Sequence, residues 1–410
     1  MNPALVYAHE VLERLEQAGF QAYLVGGCVR DRLMGREPAD YDVATDALPE
    51  EVQQVFPKTA PTGIQHGTVG VLHPGLMTEV TTFRKESTYS DQRRPDEVTF
   101  VTSLEEDLSR RDFTVNAMAE DRKGRLYDPF GGQEDLARRR IRAVGQAVDR
   151  FKEDSLRMVR GIRFAAQLGF VLDKETEAAF ELAKMDLTIL AVERVAMEMR
   201  KLFRSASPSR GLTYVWQHEL VHFLPPFIQW EGVSKAPDVP LSLLDSLAGV
   251  EARWAGFLMS CGVDQDRLIP CLRSFRLSKK EVTAIATVFQ LALATKTWQE
   301  ERRVKTAILL HGWDLVQQGI ELAGGMEGRS FTEREEQKQQ IQSWYDEMPV
   351  LSATDLVIDG RELLQATDKA PGSWLGEALH HLLHQTALGD LPNEKERLIE
   401  EGCRFGKKLT

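Results

Sequence analysis

The stretch that decides the fold runs from residue 24 to residue 46 and reads LVGGCVRDRLMGREPADYDVATD. An apolar strand leads into a glycine pair and a predicted helix, and Asp40 and Asp42 follow in a second segment that favours a β-strand. Alternate side chains of a strand point to the same face, so Asp40 and Asp42 can bind one cation together. The spacing therefore predicts a metal site.

The glycine pair before the helix predicts a site for phosphate. Gly26 and Gly27 lack the side chains that would keep a phosphate group away from the backbone, and the helix start after them offers unpaired N–H groups. Arg30 adds a fixed cation at the same place. Mg²⁺ is typically held by one or two carboxylates together with substrate phosphates, which matches Asp40 and Asp42. We therefore predict a nucleotide site with Mg²⁺ as its cofactor.

Several further segments follow in an order that is typical of one family. They are RRDFTVNA from Arg110, YDPFGG from Tyr127, EDSLR from Glu153 and, more weakly, ERVAMEMRKLF from Glu193. Together with GGCVRD and DYD, they make residues 20–205 resemble the nucleotidyltransferase superfamily, in the class II branch of bacterial tRNA CCA-adding enzymes and poly(A) polymerases. This resemblance implies nucleotidyl transfer with release of pyrophosphate.

The sequence pattern predicts an α+β fold. Strand-forming segments concentrate in the first third, where TVGVLH and LMTEVTTF flank Pro74-Gly75 as a hairpin, and helical periodicity dominates from about residue 145. We expect a mixed-sheet catalytic head followed by an all-α remainder. The predicted domains are the head at 1–145, a helical neck at 146–222, a helical body at 223–328 and a helical, tRNA-binding tail at 329–410.

Composition and charge limit the kinds of partner. With 42% hydrophobic and 28% charged residues, and no apolar run close to the length of a membrane span, the chain is expected to stay in the cytoplasm and off the membrane. Its four cysteines show no C-x-x-C spacing, so the sequence suggests neither a zinc site nor a disulfide framework. The net charge of −11 argues against unspecific coating of nucleic acid. Residues 138–163 nevertheless carry nine basic groups against three acidic ones.

The resemblance implies which side chains bind the nucleotide, CTP or ATP. It gives Asp40 and Asp42 the catalytic, metal-binding role, and it gives nucleotide contacts to Gly27, Arg30, Arg111, Asp154, Arg157, Arg160 and Arg163. Placed on one continuous helix over residues 151–166, the apolar residues except Leu156 and Phe164 fall on one arc, and Asp154 lies beside a row of arginines on the other. An exposed helix with internal ion pairs would show the same pattern.

Base chemistry favours the functional interpretation of Asp154 and Arg157. Cytosine and adenine both present an amine donor next to a ring nitrogen that accepts, whereas uracil and guanine present the reverse. A carboxylate that accepts from the amine and a guanidinium that donates to the ring nitrogen would admit C and A. Uracil and guanine would leave buried polar groups unpaired, which is costly.

Three other residues each have two possible roles. Glu79, in the second hairpin strand, is either a third carboxylate near Asp40 and Asp42 or a solvent-facing side chain. Asp112 and Asn116, in RRDFTVNA, are either ribose contacts or parts of the scaffold.

A different enzyme class is suggested by HELVH at residues 218–222, which matches the H-E-x-x-H of zinc metallopeptidases. The sequence FLPP follows at once and ends any helix there, and no third ligand follows at helical spacing. We therefore treat the metallopeptidase as a remote alternative.

Four activities share the family's segments: full CCA addition, CC addition, A addition and poly(A) synthesis. The polar segment Arg84–Val98 predicts a mobile loop, which CC-adding relatives mostly lack, and the mixed, weakly basic end of the chain disfavours a poly(A) polymerase. We predict a CCA-adding tRNA nucleotidyltransferase that uses CTP, ATP and Mg²⁺, with tRNA as its partner and a homodimer as one assembly.

Overall fold

A computed structural model describes residues 2–86, 98–233, 236–294, 298–367 and 369–408. The chain forms two compact units, Met1–Lys235 and Ala236–Thr410. The predicted boundaries near residues 145, 222 and 328 divide these units more finely and stay predictions.

The first unit combines strands with helices. Its helices are α1 (Pro3–Gln17), α2 (Gly27–Leu33), α3 (Pro49–Val55), α4 (Leu104–Ser109), α5 (Gly132–Ala137), α6 (Ala147–Glu153), α7 (Leu156–Leu168), α8 (Lys174–Ala183), α9 (Val192–Phe203) and α10 (Pro208–Gln217). Its strands are β1 (Ala22–Val25), β2 (Asp42–Thr45), β3 (Thr59–Gly63), β4 (Thr68–His73), β5 (Leu76–Thr82), β6 (Arg84–Glu86), β7 (Val98–Phe100), β8 (Ala119–Glu120), β9 (Leu126–Tyr127), β10 (Arg140–Ile141) and β11 (Val171–Leu172). The α+β prediction is confirmed.

The main sheet is mixed, as predicted. Across the described ranges it has seven strands in the order β3-β4-β5-β2-β1-β8-β9. Strand β2 runs parallel to β5 and antiparallel to β1, and the other neighbours are antiparallel. The β4–β5 hairpin turns at Pro74-Gly75, where Gly75 adopts a φ of 75° that favours glycine.

Helix α1 covers one face of this sheet. Its buried residues Ala8, Val11, Leu12 and Leu15 recur at the three- and four-residue spacing of one helix face. They share a core cluster with apolar residues of the central strands, namely Leu24, Val43, Val69 and Val80. The amphipathic start of the sequence is therefore explained by packing on the sheet.

The prediction of one helix over residues 151–166 is wrong. Helix α6 ends at Glu153, and Asp154 has extended backbone angles, with φ −145° and ψ 101°. The Asp154 carboxylate accepts a hydrogen bond from the Leu156 N–H at 3.1 Å, which satisfies a donor at the start of α7. Because the Asp154 side chain caps α7, it favours the end of α6 over its continuation.

The second unit is helical, as predicted from periodicity. Its helices are α11 (Ser242–Ser246), α12 (Val250–Ser260), α13 (Gln265–Ser274), α14 (Lys279–Leu293), α15 (Glu301–His311), α16 (Trp313–Met326), α17 (Phe331–Asp346), α18 (Gly360–Gln365), α19 (Ser373–Ala387) and α20 (Lys395–Lys408). One apolar core joins α14 to α20 and includes Trp298, Ile320, Leu363 and Leu382. Among the described residues, no helix has the length and apolar character that a membrane span requires.

The HELVH segment does not form an α-helix, and its last three residues, Leu220–His222, form a short 3-10 helix. Helix α10 ends at Gln217, and Glu219 has a left-handed φ of 54°. His218 instead lies against α8, with one ring nitrogen 3.0 Å from Glu177 and the other 3.0 Å from Glu181. Two imidazoles on one helix face, which the metallopeptidase motif needs, are therefore not formed.

The predicted loop Arg84–Val98 is described only at its ends. Strands β6 and β7 pair antiparallel there, with Arg84 opposite Phe100. Residues 87–97 lie outside the described residues.

The family segment YDPFGG leads into a buried ion cluster. Asp135 in α5 is fully buried; its carboxylate binds Arg140 at 2.6 Å and Arg142 at 2.8 Å, and it accepts a hydrogen bond from Thr114 at 2.6 Å. Asp135 therefore connects α5 to β10 and to the RRDFTVNA segment.

We expect Asp135→Ala to lower the free energy of unfolding by about 3 kcal/mol, because it leaves two guanidinium groups without their buried counter-ion. Urea unfolding followed by circular dichroism measures this change. The matched control is Glu134→Ala, whose partner Arg138 and own carboxylate are mostly exposed at 60% and 57%. It should cost less than about 1 kcal/mol, and equal losses for the two variants would contradict the structural role of Asp135.

Candidate active site

One cleft in the first unit collects most of the residues predicted from the sequence. Its volume is about 830 Å³. Its walls are formed by Gly26, Gly27, Arg30, Asp42, Thr62, Gly63, His66, Thr68, Glu79, Arg84, Arg110, Arg111, Asp112, Asn116, Asp154, Leu156, Arg157, Arg160, Arg163, Phe164, Gln167, Arg194 and Lys201. Asp40 is not part of this lining.

The carboxylates come from two neighbouring parallel strands. Asp42 is the first residue of β2, and the register places Val43 opposite Val80 of β5. Asp42 and Glu79 precede these partners, so their side chains share the opposite face of the sheet. Asp40 lies before the strand begins and is exposed. The sequence alone left Glu79 open, and the pairing of β2 with β5 brings it to Asp42.

The carboxylates influence one another. Burial, together with the nearby charges of Asp40 and Glu79, raises the pKa of Asp42 to about 6, while Arg111 opposes the rise. A carboxylate in this position is stabilised in its charged form when a cation lies beside it. Within the described residues, no three His, Cys, Asp or Glu side chains enclose a metal position by themselves. Two carboxylates that share a cation with substrate phosphates are the donor set that Mg²⁺ commonly uses.

The glycine pair forms the turn that the sequence predicts. Gly26 caps α2 with a φ of 76°, and a Cβ placed there would lie 2.9 Å from the Arg111 guanidinium. A Cβ at Gly27 would lie 3.6 Å from the Arg30 guanidinium. A side chain at Gly26 would therefore strain the backbone and displace Arg111, which explains why glycine is needed at this position.

A chain of hydrogen bonds runs from the glycine turn to α7. Arg30, only 5% exposed, donates to the side-chain Oδ1 of Asn116 at 2.7 Å. The Asn116 amide donates to Asp112 at 3.1 Å, and Arg160 donates to the other Asp112 oxygen at 2.7 Å. Burial alone would raise the pKa of Asp112, but Arg160 and the hydrogen bonds from Asn116 and Arg160 lower it to about 2. Asp112 and Asn116 therefore hold the scaffold together in this structure.

A second buried carboxylate, Asp107 in α4, organises two further arginines. Its oxygens bind Arg110 at 2.8 Å and Arg111 at 3.2 Å. Although burial alone would raise the pKa of Asp107, the guanidinium groups of Arg111 and Arg110 lower it. Asp107 was not among the residues predicted from the sequence, although its position three and four residues before the arginine pair is a helical signal for such contacts.

Asp154 and Arg157 both line the cleft but do not pair with each other. The second oxygen of Asp154 binds Arg194 of α9 at 2.8 Å. Arg157 donates to Glu153 at 2.7 Å and to the backbone carbonyl of Arg110 at 3.0 Å. Arg194 was not predicted, and the signal for it was the weak ERVAMEMRKLF segment.

The prediction that a row of arginines beside Asp154 is exposed to the nucleotide is only partly correct. Arg157 and Arg163 are 7% and 5% exposed, because each is held by a carboxylate. Arg163 binds Glu198 of α9 at 2.5 Å, and its guanidinium lies 3.8 Å from the centre of the Phe164 ring. The helical wheel could not show this, because Glu198 belongs to a different helix.

This fold and cleft define a nucleotidyltransferase. Residues 22–142 match the family described as "Poly A polymerase head domain". Residues 169–230 match "Probable RNA and SrmB- binding site of polymerase A", and residues 246–401 match tRNA nucleotidyltransferase domain 2.

Similar proteins identify the kind of nucleotidyltransferase. The chain is 38% identical over 408 residues to the CCA-adding enzyme of Geobacillus stearothermophilus, covering 97% of this chain and 96% of that protein. It is 39% identical to the CCA-adding enzyme of Bacillus cytotoxicus, covering 96% and 98%. The chain belongs to the family of CCA-adding enzymes, which are tRNA nucleotidyltransferases.

Solved structures agree with this assignment. The crystal structure of the Bacillus stearothermophilus CCA-adding enzyme in complex with CTP has a TM-score of 0.79 and 34% identity, covering 100% of this chain and 99% of that chain. The Thermotoga maritima CCA-adding enzyme complexed with tRNA has a TM-score of 0.64 at 20% identity, covering 100% and 97%, and shares the fold.

We expect Asp42→Asn to raise the melting temperature of the metal-free protein at pH 7.5 by a few degrees. The native pKa of about 6 lies above the value near 4 of an unfolded chain, so the native state binds this proton more tightly. The resulting stability is fully present below the unfolded pKa and is lost as the pH rises through 6.

The asparagine side chain stays neutral at every pH, so the variant does not lose this stability as the pH rises. Thermal melts in a chelating buffer should therefore show a difference between variant and wild type that disappears toward pH 4. A variant that melts below wild type at pH 7.5 would contradict the assigned environment of Asp42.

Proposed function

We propose that this protein adds C, C and A to the 3′ end of tRNA, taking CTP twice and ATP once, without a nucleic-acid template. The observation that carries this proposal is the combination, within one cleft, of paired carboxylates, a glycine turn and an Asp154–Arg157 pair suited to C and A. The family relationship supports the same reaction.

The phosphate end of the cleft is assigned to the sheet. We propose that Asp40 and Asp42, with Glu79 beside them, hold Mg²⁺. When bound there, Mg²⁺ would activate the tRNA 3′-hydroxyl and neutralise charge on the leaving pyrophosphate. Gly27 lets the triphosphate approach the start of α2, where Arg30 and Arg111 add positive charge. These groups act by position and charge, and no covalent enzyme intermediate is needed.

The base end of the cleft is assigned to α6, α7 and the turn between them. Asp154 would accept from the exocyclic amine of C or A, and Arg157 would donate to the adjacent ring nitrogen. Arg194 fixes the Asp154 carboxylate, and Glu153 fixes the Arg157 guanidinium. Because both side chains are restrained before the nucleotide arrives, little rotational freedom is lost on binding. Arg160 and Arg163 are proposed as further nucleotide contacts.

The proposal also covers the alternative activities, the location in the cell and the assembly. The A-adding, CC-adding and poly(A) alternatives are not favoured, because the similar proteins are named CCA-adding enzymes. We propose the cytoplasm as the location, since tRNA is the substrate, and a homodimer as the assembly, which light scattering would test.

A stepwise assay tests the function. A tRNA that lacks its last three nucleotides should gain two residues with CTP alone, and a tRNA that ends in CC should gain one with ATP alone. Growth of a long A tail on either tRNA would identify a poly(A) polymerase, and growth on only one of them would identify a partial enzyme.

We expect Asp42→Ala to reduce incorporation of both CMP and AMP to less than about a hundredth of the wild-type rate. Asp40→Ala should behave in the same way, with tRNA binding nearly intact, because these carboxylates act on metal and phosphate. Single-turnover incorporation and filter binding measure the two effects. Asp46→Ala, on the same segment but outside the cleft lining, serves as the control and should stay active. A variant that loses incorporation of CMP but not AMP, or of AMP but not CMP, would overturn the assignment of one metal site to both reactions.

Asp154→Ala and Arg157→Ala should each raise misincorporation of UMP and GMP relative to CMP and AMP. Loss of one charge-assisted hydrogen bond should reduce discrimination by about 1.5 to 3 kcal/mol, or roughly tenfold to a hundredfold. Competition assays with all four nucleotides measure the ratio, with Asp149→Ala on the exposed side of α6 as control. A folded but slow variant that still rejects UTP and GTP would show that the pair only supports the scaffold.

A further inference from the structure

Asp107 binds two arginines of the cleft wall without being part of that wall. It lies in α4, and its side chain is 1% exposed. Its ion-pair partners Arg110 and Arg111 do line the cleft and are 15% and 19% exposed. Asp107 can therefore act on a nucleotide in the cleft only through these partners or through its own charge.

The two carboxylate oxygens of Asp107 have different partners. Oδ1 accepts from Nε and Nη2 of Arg110 at 3.0 and 2.8 Å, and from the backbone N–H of Arg84 at 3.4 Å. Oδ2 accepts from Nη2 of Arg111 at 3.2 Å. Because each oxygen has its own partners, a substitution can remove the contact to Arg111 and keep the contacts to Arg110 and Arg84.

Arg111 lies over the phosphate end of the cleft. Its Nη1 is 2.9 Å from the position that a Cβ on Gly26 would take, and its charge opposes the rise in the pKa of Asp42. Its Nε is buried and has no hydrogen-bond partner within the described ranges. In those same ranges, Asp107 is the one carboxylate that forms an ion pair with Arg111. The direction of this long side chain therefore depends on Asp107.

We propose that Asp107 is a positioning residue, which holds the Arg111 guanidinium over the glycine turn so that it donates to the triphosphate. The inference rests on the proposed function, because the direction of Arg111 matters only if Arg111 binds the triphosphate. Without the contact to Oδ2, Arg111 would keep its charge but lose its fixed direction. Nucleotide binding would then have to order this side chain, which costs affinity.

The charge of Asp107 and its contact with Arg111 have opposite effects on a bound triphosphate. Asp107 is an anion next to a cleft that takes a polyanion, so its charge by itself repels the triphosphate. Removal of this charge alone would strengthen nucleotide binding, whereas loss of the contact with Arg111 would weaken it. The sign of the change in affinity therefore separates the two effects.

The test variant is Asp107→Asn in the full-length protein. The asparagine oxygen should take the place of Oδ1, where three donors point, and its amide then replaces Oδ2 opposite Arg111. This arrangement keeps an acceptor for Arg110 and removes the acceptor for Arg111. The matched control is Glu105→Gln, which removes the same charge from an exposed position of α4. Thermal melting checks that both variants fold.

Calorimetry with Mg²⁺ and without tRNA measures the binding of CTP, ATP, UTP, GTP and inorganic pyrophosphate. We expect Asp107→Asn to bind all five about three- to tenfold more weakly, because they share the phosphates that Arg111 contacts. The preference for CTP and ATP over UTP and GTP should not change, because Asp154 and Arg157 are left intact. Glu105→Gln should stay within about twofold of wild type, because solvent screens an exposed charge.

A double-mutant cycle shows whether Asp107 acts through Arg111. When Arg111 is already Ala, Asp107→Asn should no longer weaken CTP binding, because no guanidinium remains to be held. Equal weakening with and without Arg111 would assign Asp107 a general role in the scaffold and overturn the proposal. Unchanged or tighter CTP binding by the single Asp107→Asn variant would also overturn it.

If Asp107→Asn does not fold, Arg111→Lys takes its place in the test. Lysine keeps the charge but lacks the planar fork that bonds to Asp107 with one nitrogen and extends another over Gly26. Its affinity for CTP should fall by a similar factor, and wild-type affinity would overturn the proposal. Failure of the proposed function is a separate result, because wild-type protein would then bind CTP and yet not add C, C and A to tRNA.

Discussion

Asp112 is a buried carboxylate that accepts hydrogen bonds from the Phe113 backbone, Asn116 and Arg160, and both ends of the cleft are held through it. On one side, Asn116 leads to Arg30 and the glycine turn. On the other side, Arg160 belongs to α7, which carries the proposed base-reading residues. A buried charge is tolerated only when it is fully paired, so Asp112 ties the glycine turn and α2 to α7 in one arrangement.

Most arginines of the cleft follow the same rule, in which a carboxylate fixes the direction of the guanidinium group. Asp107 holds Arg110 and Arg111, and Glu198 holds Arg163. Among the described lining residues, nine are Lys or Arg and four are Asp or Glu, so basic side chains predominate on the cleft wall. A triphosphate would therefore enter a positive cleft whose donors are already oriented, which lowers the cost of ordering them on binding.

Sequence reasoning identified the parts of the site that depend on short spacing. Asp42 and the glycine pair could be predicted because strand and turn geometry act over a few residues. Strand alternation did not hold for Asp40, which lies before β2 and outside the cleft lining, so its metal-binding role stays a prediction. The break at Asp154 could not, because a helix cap and a helix interior differ there by one side-chain hydrogen bond. Arg194 and Glu198 were missed because their partners lie 40 and 35 residues away along the chain. Glu79 needed the register of β2 and β5.

The central claim is that protein side chains choose the nucleotide, with no base-paired template. Equilibrium binding of CTP, ATP, UTP and GTP to the protein with Mg²⁺ and without tRNA, measured by calorimetry, tests it most directly. The account predicts that CTP and ATP bind at least about tenfold more tightly than UTP and GTP, as expected for one mismatched, buried hydrogen-bonding pair. Equal affinity for all four nucleotides would contradict it and would assign the choice of base to the bound RNA.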